Sequence, residues 1–170
     1  MDRGAFPGSS SNHHLGTLAQ MALSTLEFME FGKQYAEQII KNAKHLAVSL
    51  EKEGFYVEAK EFGYTGSHQV AVNVKDYGGG SLVSTLLEQN DIVLNMNMLP
   101  HEPLKNHNNP EGLRIGLAEM TRFGMNEPEM EKIAGLMREI VIDKKDVKAE
   151  VNKLRANYQD VKYSFDNTEA

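Results

Sequence analysis

From Met29 to Glu53 the chain reads MEFGKQYAEQIIKNAKHLAVSLEKE, and Tyr35, Ile39, Ala43, Leu46 or Ala47, and Leu50 recur every three or four residues. That period puts them on one face of an α-helix and leaves the charged residues on the other. Gly54 follows, a residue suited to ending a helix. At 1.5 Å per residue such a helix runs about 37 Å. This exceeds what one small core needs. The length predicts a rod that reaches from one body towards another.

A first helix is predicted just before it, HHLGTLAQMALSTLEF, with Asn12 as its cap and Leu15, Leu18, Met21 or Ala22, and Leu26 on one side. The opening MDRGAFPGSSSNHH reads as a loop and has no apolar core like that of a signal peptide. A globular chain that opens in mid-loop suggests a fragment of something larger. After the long helix come FYVEA and HQVAVNV, short strands in which Val70, Val72 and Val74 alternate with Ala71 and Asn73. The run from Tyr77 to Gly80 is a turn into a short helix, SLVSTLLEQN. IVLNMNML predicts a strand with Asn95 and Asn97 on one face and Leu94, Met96 and Met98 on the other. A polar loop, HEPLKNHNNPEG, leads to a last strand, LRIGLA. Asn126 and Glu129 have the spacing of a capping box. The helix they open carries Met130, Ile133, Ala134, Met137 and Ile140 or Val141 on one face. DVKAEVNKLRANYQ is a further charged helix, and YSFDNTEA reads as a frayed tail.

The order α, long α, β, β, α, β, loop, β, α, α predicts an α+β layer. A small mixed or antiparallel sheet is packed by helices and preceded by one or two long helices. Its strands are too few for a doubly wound sheet. The 170 residues suffice for one compact domain, and 41% hydrophobic with 25% charged residues is ordinary globular composition. A net charge of -6 without clustered basic residues argues against nucleic acid and acidic membrane as partners. With no cysteine there is neither a disulfide nor a thiolate metal site, which suits a cytoplasmic protein. No apolar run approaches the roughly 18 residues of a membrane helix.

The residue that points most directly to chemistry is Arg114, set inside LRIGLA with Gly112 and Gly116 on either side. A buried unpaired charge costs several kcal/mol. Arg114 therefore either reaches solvent along its own stem or meets a negative group. A guanidinium stays charged and grips a carboxylate through two parallel hydrogen bonds. The flanking glycines leave room for such a ligand, though either equally suits a turn or bulge. Asn95 and Asn97 face either a cleft or solvent. His13, His14, His101 and His107, with Glu102 and Glu111, have the chemistry of zinc ligands. No two of those histidines have i,i+4 spacing, and the reading assigns no metal. His68 opens a strand as a structural residue. The glycines after Tyr77 lack both GxGxxG spacing and a following Lys-Ser/Thr, so they are read as a turn and not as a phosphate loop.

In this order the pieces resemble the C-terminal part of serine hydroxymethyltransferase (glycine hydroxymethyltransferase), a pyridoxal-phosphate family of the aspartate-aminotransferase fold type. GAFPGSSSNHH resembles the loop after that family's cofactor lysine. YAEQIIKNAKHLAVSLEKEGF resembles its helix with the core Val-Val-Lys-Asn-Ala-Lys-Ala-Leu. SHQVAVNV is similar to its Asn-His-Leu strand, and IVLNMNMLP to its Thr-Val-Asn-Lys-Asn-Thr-Ile-Pro. GLRIGLAEMTRFG resembles Gly-Ile-Arg-Ile-Gly-Thr-Pro-Ala-Met-Thr-Thr-Arg-Gly. The similarity runs from about Gly4 to Val141.

The resemblance implies that Arg114 holds the α-carboxylate of glycine or serine. Arg122 matches the motif's second arginine and shapes the turn before the last helices. Ser10, Ser11 and Asn12 stand where the family's Gly-Gly pair approaches the cofactor phosphate of a neighbouring subunit, which implies a homodimer. The loop HEPLKNHNNPEG departs from the family's Ser-Pro-Phe segment, which puts a folate-type one-carbon carrier in question. The cofactor lysine, the aromatic residue stacked on the ring and the aspartate at the pyridine nitrogen would all lie in a missing N-terminal large domain. Lys33, Lys41 and Lys44 fall on a helix that matches a non-catalytic one, so none replaces the cofactor lysine. The resemblance divides the chain into residues 1–28, a loop and helix belonging to the large domain, 29–165, a small domain, and 166–170, the tail. This chain is then expected to be inactive alone. The alternative is a non-catalytic amino acid-binding or dimerisation module derived from the same fold.

Overall fold

The computed structural model describes residues 4–9 and 14–165. They fall into two compact units, one of residues up to Lys33 together with those from Tyr163, the other Gln34–Lys162. Within the opening, Gly4–Ser9 winds into one wide helical turn where a loop was predicted, and the Ser9 hydroxyl donates to the Gly4 carbonyl at 2.8 Å.

The two predicted N-terminal helices are one. Helix α1 is Leu15–Lys52, 38 residues without interruption. No proline falls within it, and Gly32 alone is too weak a breaker to stop a helix whose neighbours all favour one. Its buried positions begin only at Ile39 and continue through Ala43, Leu46, Ala47 and Leu50. Before that, Leu15, Leu18, Met21, Leu23, Leu26, Phe28 and Met29 are all more than half exposed.

Within Gln34–Lys162, four strands form one antiparallel sheet in the order β1-β2-β4-β3. They are β1 Tyr56–Val57, β2 Gln69–Asn73, β3 Asn95–Asn97 and β4 Gly112–Gly116. Helix α2, Gly80–Gln89, lies between β2 and β3 in sequence. The turn before it needs positive φ at two successive residues, Gly78 and Gly79, which glycine adopts without strain. After β4 come α3 Ala118–Arg122, α4 Glu127–Val141 and α5 Lys148–Arg155. Helix α4 opens on the predicted capping box, where the Glu129 carboxylate accepts the Asn126 backbone N–H at 3.0 Å.

Alternation along the strands sends Val70, Val72, Leu113 and Ile115 into the core. They meet Leu46 and Leu50 of α1, Val83 and Leu87 of α2, and Met130, Met137 and Ile140 of α4. Each such side chain contributes about 1.5–3 kcal/mol by leaving water. One sheet face is therefore consumed by the helices. The other carries Tyr56, Gln69, Ala71, Asn73, Asn95, Asn97 and Arg114, none of them buried.

Candidate functional site

Arg114 sits at the centre of β4 on that second face. It pairs with Ala71 of β2 on one side and Asn95 of β3 on the other. Residues directly opposite share a face, so Asn95 stands beside Arg114, and Asn97 lies two residues further along the strand. The guanidinium is exposed, and no hydrogen bond or ion pair engages it among the described residues. Of the two outcomes expected for Arg114, no negative group among the described residues meets it.

The glycines flanking Arg114 differ. A Cβ at Gly112 would meet the Leu99 side chain at 2.6 Å and the Asn97 carbonyl at 2.7 Å, so close strand packing requires that glycine. A Cβ at Gly116 would meet nothing within 4 Å, and its φ is not left-handed. Beside the arginine, on the Gly116 side, the sheet face is open. Gln69 lies directly opposite Gly116, on the same face.

Sequence reasoning treated Glu102 only as a metal-type ligand. The structure gives it another task. It is 9% exposed, and its two carboxylate oxygens accept the backbone N–H groups of Leu99 at 2.7 Å and Glu111 at 2.8 Å. One side chain thus closes the loop between β3 and β4. Glu111 pairs with Lys75 at 3.0 Å and has His101 at 3.7 Å, while the His107 ring lies 3.3 Å from the Leu104 carbonyl. No group of three His, Cys, Asp or Glu side chains suited to a metal ion occurs among the described residues. His14 is exposed, and His13 lies outside the described residues.

A second feature that was missed fixes the segment after β4. The Asn42 amide, wholly buried on α1, donates to the Thr121 hydroxyl and to the Met125 carbonyl, both at 2.9 Å. Thr121 in turn donates to the Leu117 carbonyl at 2.7 Å, and the Tyr35 hydroxyl to the Ala118 carbonyl at 2.8 Å. Arg122 lies over the Tyr35 ring, its Cζ 5.7 Å from the centroid. The available signal was a polar residue within an apolar helix stripe, one position before Ala43.

Ser10, Ser11 and Asn12, predicted near a cofactor phosphate, lie outside the described residues. Lys33, Lys41 and Lys44 are exposed on α1. Asn97 turns its amide to the Met98 carbonyl at 2.7 Å. Burial, and then a hydrogen bond to Glu129, pushes the Tyr158 hydroxyl up to about 12.

The family model for serine hydroxymethyltransferase matches residues 1–137. The chain belongs to the serine hydroxymethyltransferase family. A serine hydroxymethyltransferase of Saccharolobus islandicus is 48% identical over 170 residues, covering 98% of this chain and 39% of the relative. One of Pyrococcus horikoshii is 50% identical over 166 residues, again 39% of its length. The chain therefore spans about two fifths of the curated relatives it matches. Among solved structures, an L-threonine transaldolase from Pseudomonas fluorescens in its internal aldimine state superposes with a TM-score of 0.85 at 29% identity, covering 97% of this chain and 38% of that one. The α+β layer read from the sequence is the observed architecture, with the sheet wholly antiparallel.

Proposed function

We propose that this chain is the C-terminal part of a pyridoxal-phosphate-dependent serine/glycine hydroxymethyltransferase, and that Arg114 grips the substrate's α-carboxylate. The observation that carries the reading is an arginine at the centre of a sheet with no partner for its fork among the described residues, in a chain of this family. Two parallel hydrogen bonds fix both position and rotation of a carboxylate. That orients the bond to be broken, which is a large part of what a protein adds to cofactor chemistry.

The described residues suit the ligand's carboxylate better than the cofactor itself. Three of the chain's lysines, 33, 41 and 44, are solvent-facing on α1, so the cofactor lysine is assigned to the remaining length of the enzyme. Pyridoxal phosphate would supply the electron sink there. This chain binds and orients the amino acid, and alone it is inactive. A homodimer and a soluble, cytoplasmic setting complete the reading.

The test joins the chain to the remaining N-terminal length of the Saccharolobus islandicus relative and measures conversion of serine to glycine. The hybrid is active, and Arg114→Ala lowers kcat/KM by an amount equivalent to about 2–5 kcal/mol, the usual cost of removing one partner of a desolvated charge pair. Unchanged kcat/KM in that variant overturns the assignment of Arg114.

A further inference from the structure

The core of the Gln34–Lys162 unit lacks part of its wall. A cavity of about 580 Å³ opens between β4, α3, α4 and α5. Its lining includes core side chains, since Leu46, Ile115 and Met137 all face it and all are buried. Leu94, Ile133 and Leu136 line it too, and they are only partly buried. At Val93 the lining reaches open solvent, with that side chain 80% exposed. A site built for a small ligand encloses most of its occupant. Here apolar surface runs from the core out to an exposed lip, so a small molecule leaves Val93 wet. A covering length of polypeptide fits better, in the manner of a helix laid into a groove.

The charges at the groove narrow the choice. Asp91 is met within the chain, by Lys148 at 3.1 Å and the Asn152 amide at 2.8 Å. Glu119 and Arg155 also line the groove, both exposed, and neither makes an ion pair or a side-chain hydrogen bond among the described residues. A covering helix with one acidic and one basic side chain meets both, and such rim pairs set register and orientation. The chain spans 39% of the Saccharolobus islandicus relative, so more than half of that protein's length has no counterpart here.

We infer that this groove seats an amphipathic helix from the enzyme's remaining N-terminal length, whose apolar side chains fill the cavity while an acid meets Arg155 and a base meets Glu119. The inference rests on the reading of this chain as the C-terminal part of a longer enzyme, and not on the role of Arg114. The seated helix completes the core from outside this chain. Val93 and Leu136 become fully buried only when it is in place.

The chain has no cysteine, so a thiol introduced at the groove is easily followed. Val93→Cys and Leu136→Cys are made in the 170-residue chain and in its hybrid with the N-terminal length of the Saccharolobus islandicus relative. Alkylation by a charged maleimide is read by mass spectrometry of the peptide that carries the thiol. At both positions it is at least about tenfold slower in the hybrid, because the seated helix must open locally before the thiol reacts. Overlapping peptides of that N-terminal length, added to the isolated chain, protect both thiols through one stretch with apolar residues at helical spacing. Arg155→Glu speeds the reaction of Val93→Cys in the hybrid and leaves it unchanged in the isolated chain. Equal rates in hybrid and isolated chain, or protection by none of the peptides, overturn the inference. So does protection in the isolated chain that rises with its own concentration, which gives the groove to a second copy. The rates are read without turnover. A hybrid that converts serine to glycine with both thiols open sinks the groove alone, and one that protects both thiols yet is inactive sinks the proposed activity alone.

Discussion

Replacing Asn42 by alanine is expected to be among the most destabilising single changes in this chain, although the residue touches no ligand. Asn42 and Thr121 are both 0% exposed. The Asn42 amide nitrogen serves two acceptors at 2.9 Å, the Thr121 oxygen and the Met125 carbonyl. Its own oxygen receives the Gln38 amide at 2.9 Å, and Gln38 also reaches Glu127 at 3.0 Å. The Thr121 proton is already committed to the Leu117 carbonyl, so Thr121 cannot compensate. Truncation leaves two buried acceptors unpaired, at about 1–3 kcal/mol each. Alanine's helix preference returns only about 0.5 kcal/mol. The net loss is about 1.5–5.5 kcal/mol, or a Tm lower by about 5–20 °C for a domain of this size. Urea and thermal unfolding followed by circular dichroism measure it. Asn42→Asp is a sharper version. At neutral pH its carboxylate faces two oxygens, and its buried ionisation opposes folding, so its stability should rise on acidification while that of Asn42→Ala does not. An Asn42→Ala midpoint within about 0.5 kcal/mol of the parent would refute the reasoning, since that is the level of an ordinary surface change.

In the hybrid enzyme, Arg114→Lys should raise KM and lower turnover, because an ammonium supplies one charge and no planar fork; steady-state kinetics decide it. Burial raises the Glu129 pKa, but the Asn126 backbone N–H, Tyr158 and Lys132 outweigh it and hold the carboxyl below its ordinary value. The resulting stabilisation is present above the ordinary carboxylate range and is lost as pH falls through the depressed value. The Tm gap between parent and Glu129→Gln should therefore close on acidification, and a constant gap would contradict it. The exposed apolar residues from Leu15 to Met29 should drive concentration-dependent self-association of the isolated chain. Light scattering should show a shift towards monomer when Leu18 and Leu26 are changed to lysine, and a strict monomer in the parent would count against it. Pyridoxal phosphate mixed with the chain should give no stoichiometric lysine adduct fixed by borohydride, as read by mass spectrometry.

Local rules were legible where local physics decides. The capping box at Asn126 and Glu129, the core stripe of α4 and the alternation of Val70 and Val72 all follow from spacing between near neighbours. Features that depend on distant partners were not legible. IVLNMNML has strand composition throughout, yet only Asn95–Asn97 pairs, because the ladder with β4 ends where Asn95 meets Arg114. FYVEA likewise shortens to Tyr56–Val57. The short helix α3 was not foreseen, and it is anchored by Asn42 and Tyr35, far away in sequence. Helix α1 was read as two helices, and the structure makes them one. The stripe continues in sequence while its burial stops. At the candidate site, Arg114 was legible because a charge within an apolar strand conflicts with its surroundings. Gln69 was not, since only the register places it opposite Gly116.

Gly112 and Gly116 stand symmetrically about one arginine, yet they answer to different pressures. A library randomised at both codons and screened only for folded protein should return glycine at 112 almost every time, because the Asn97 carbonyl cannot yield. At 116 the same screen should admit a broad set of residues. A second screen for amino acid turnover, run in the hybrid enzyme, should narrow 116 again, so a comparison of the two outcomes separates what the architecture demands from what the chemistry demands at neighbouring positions of one strand.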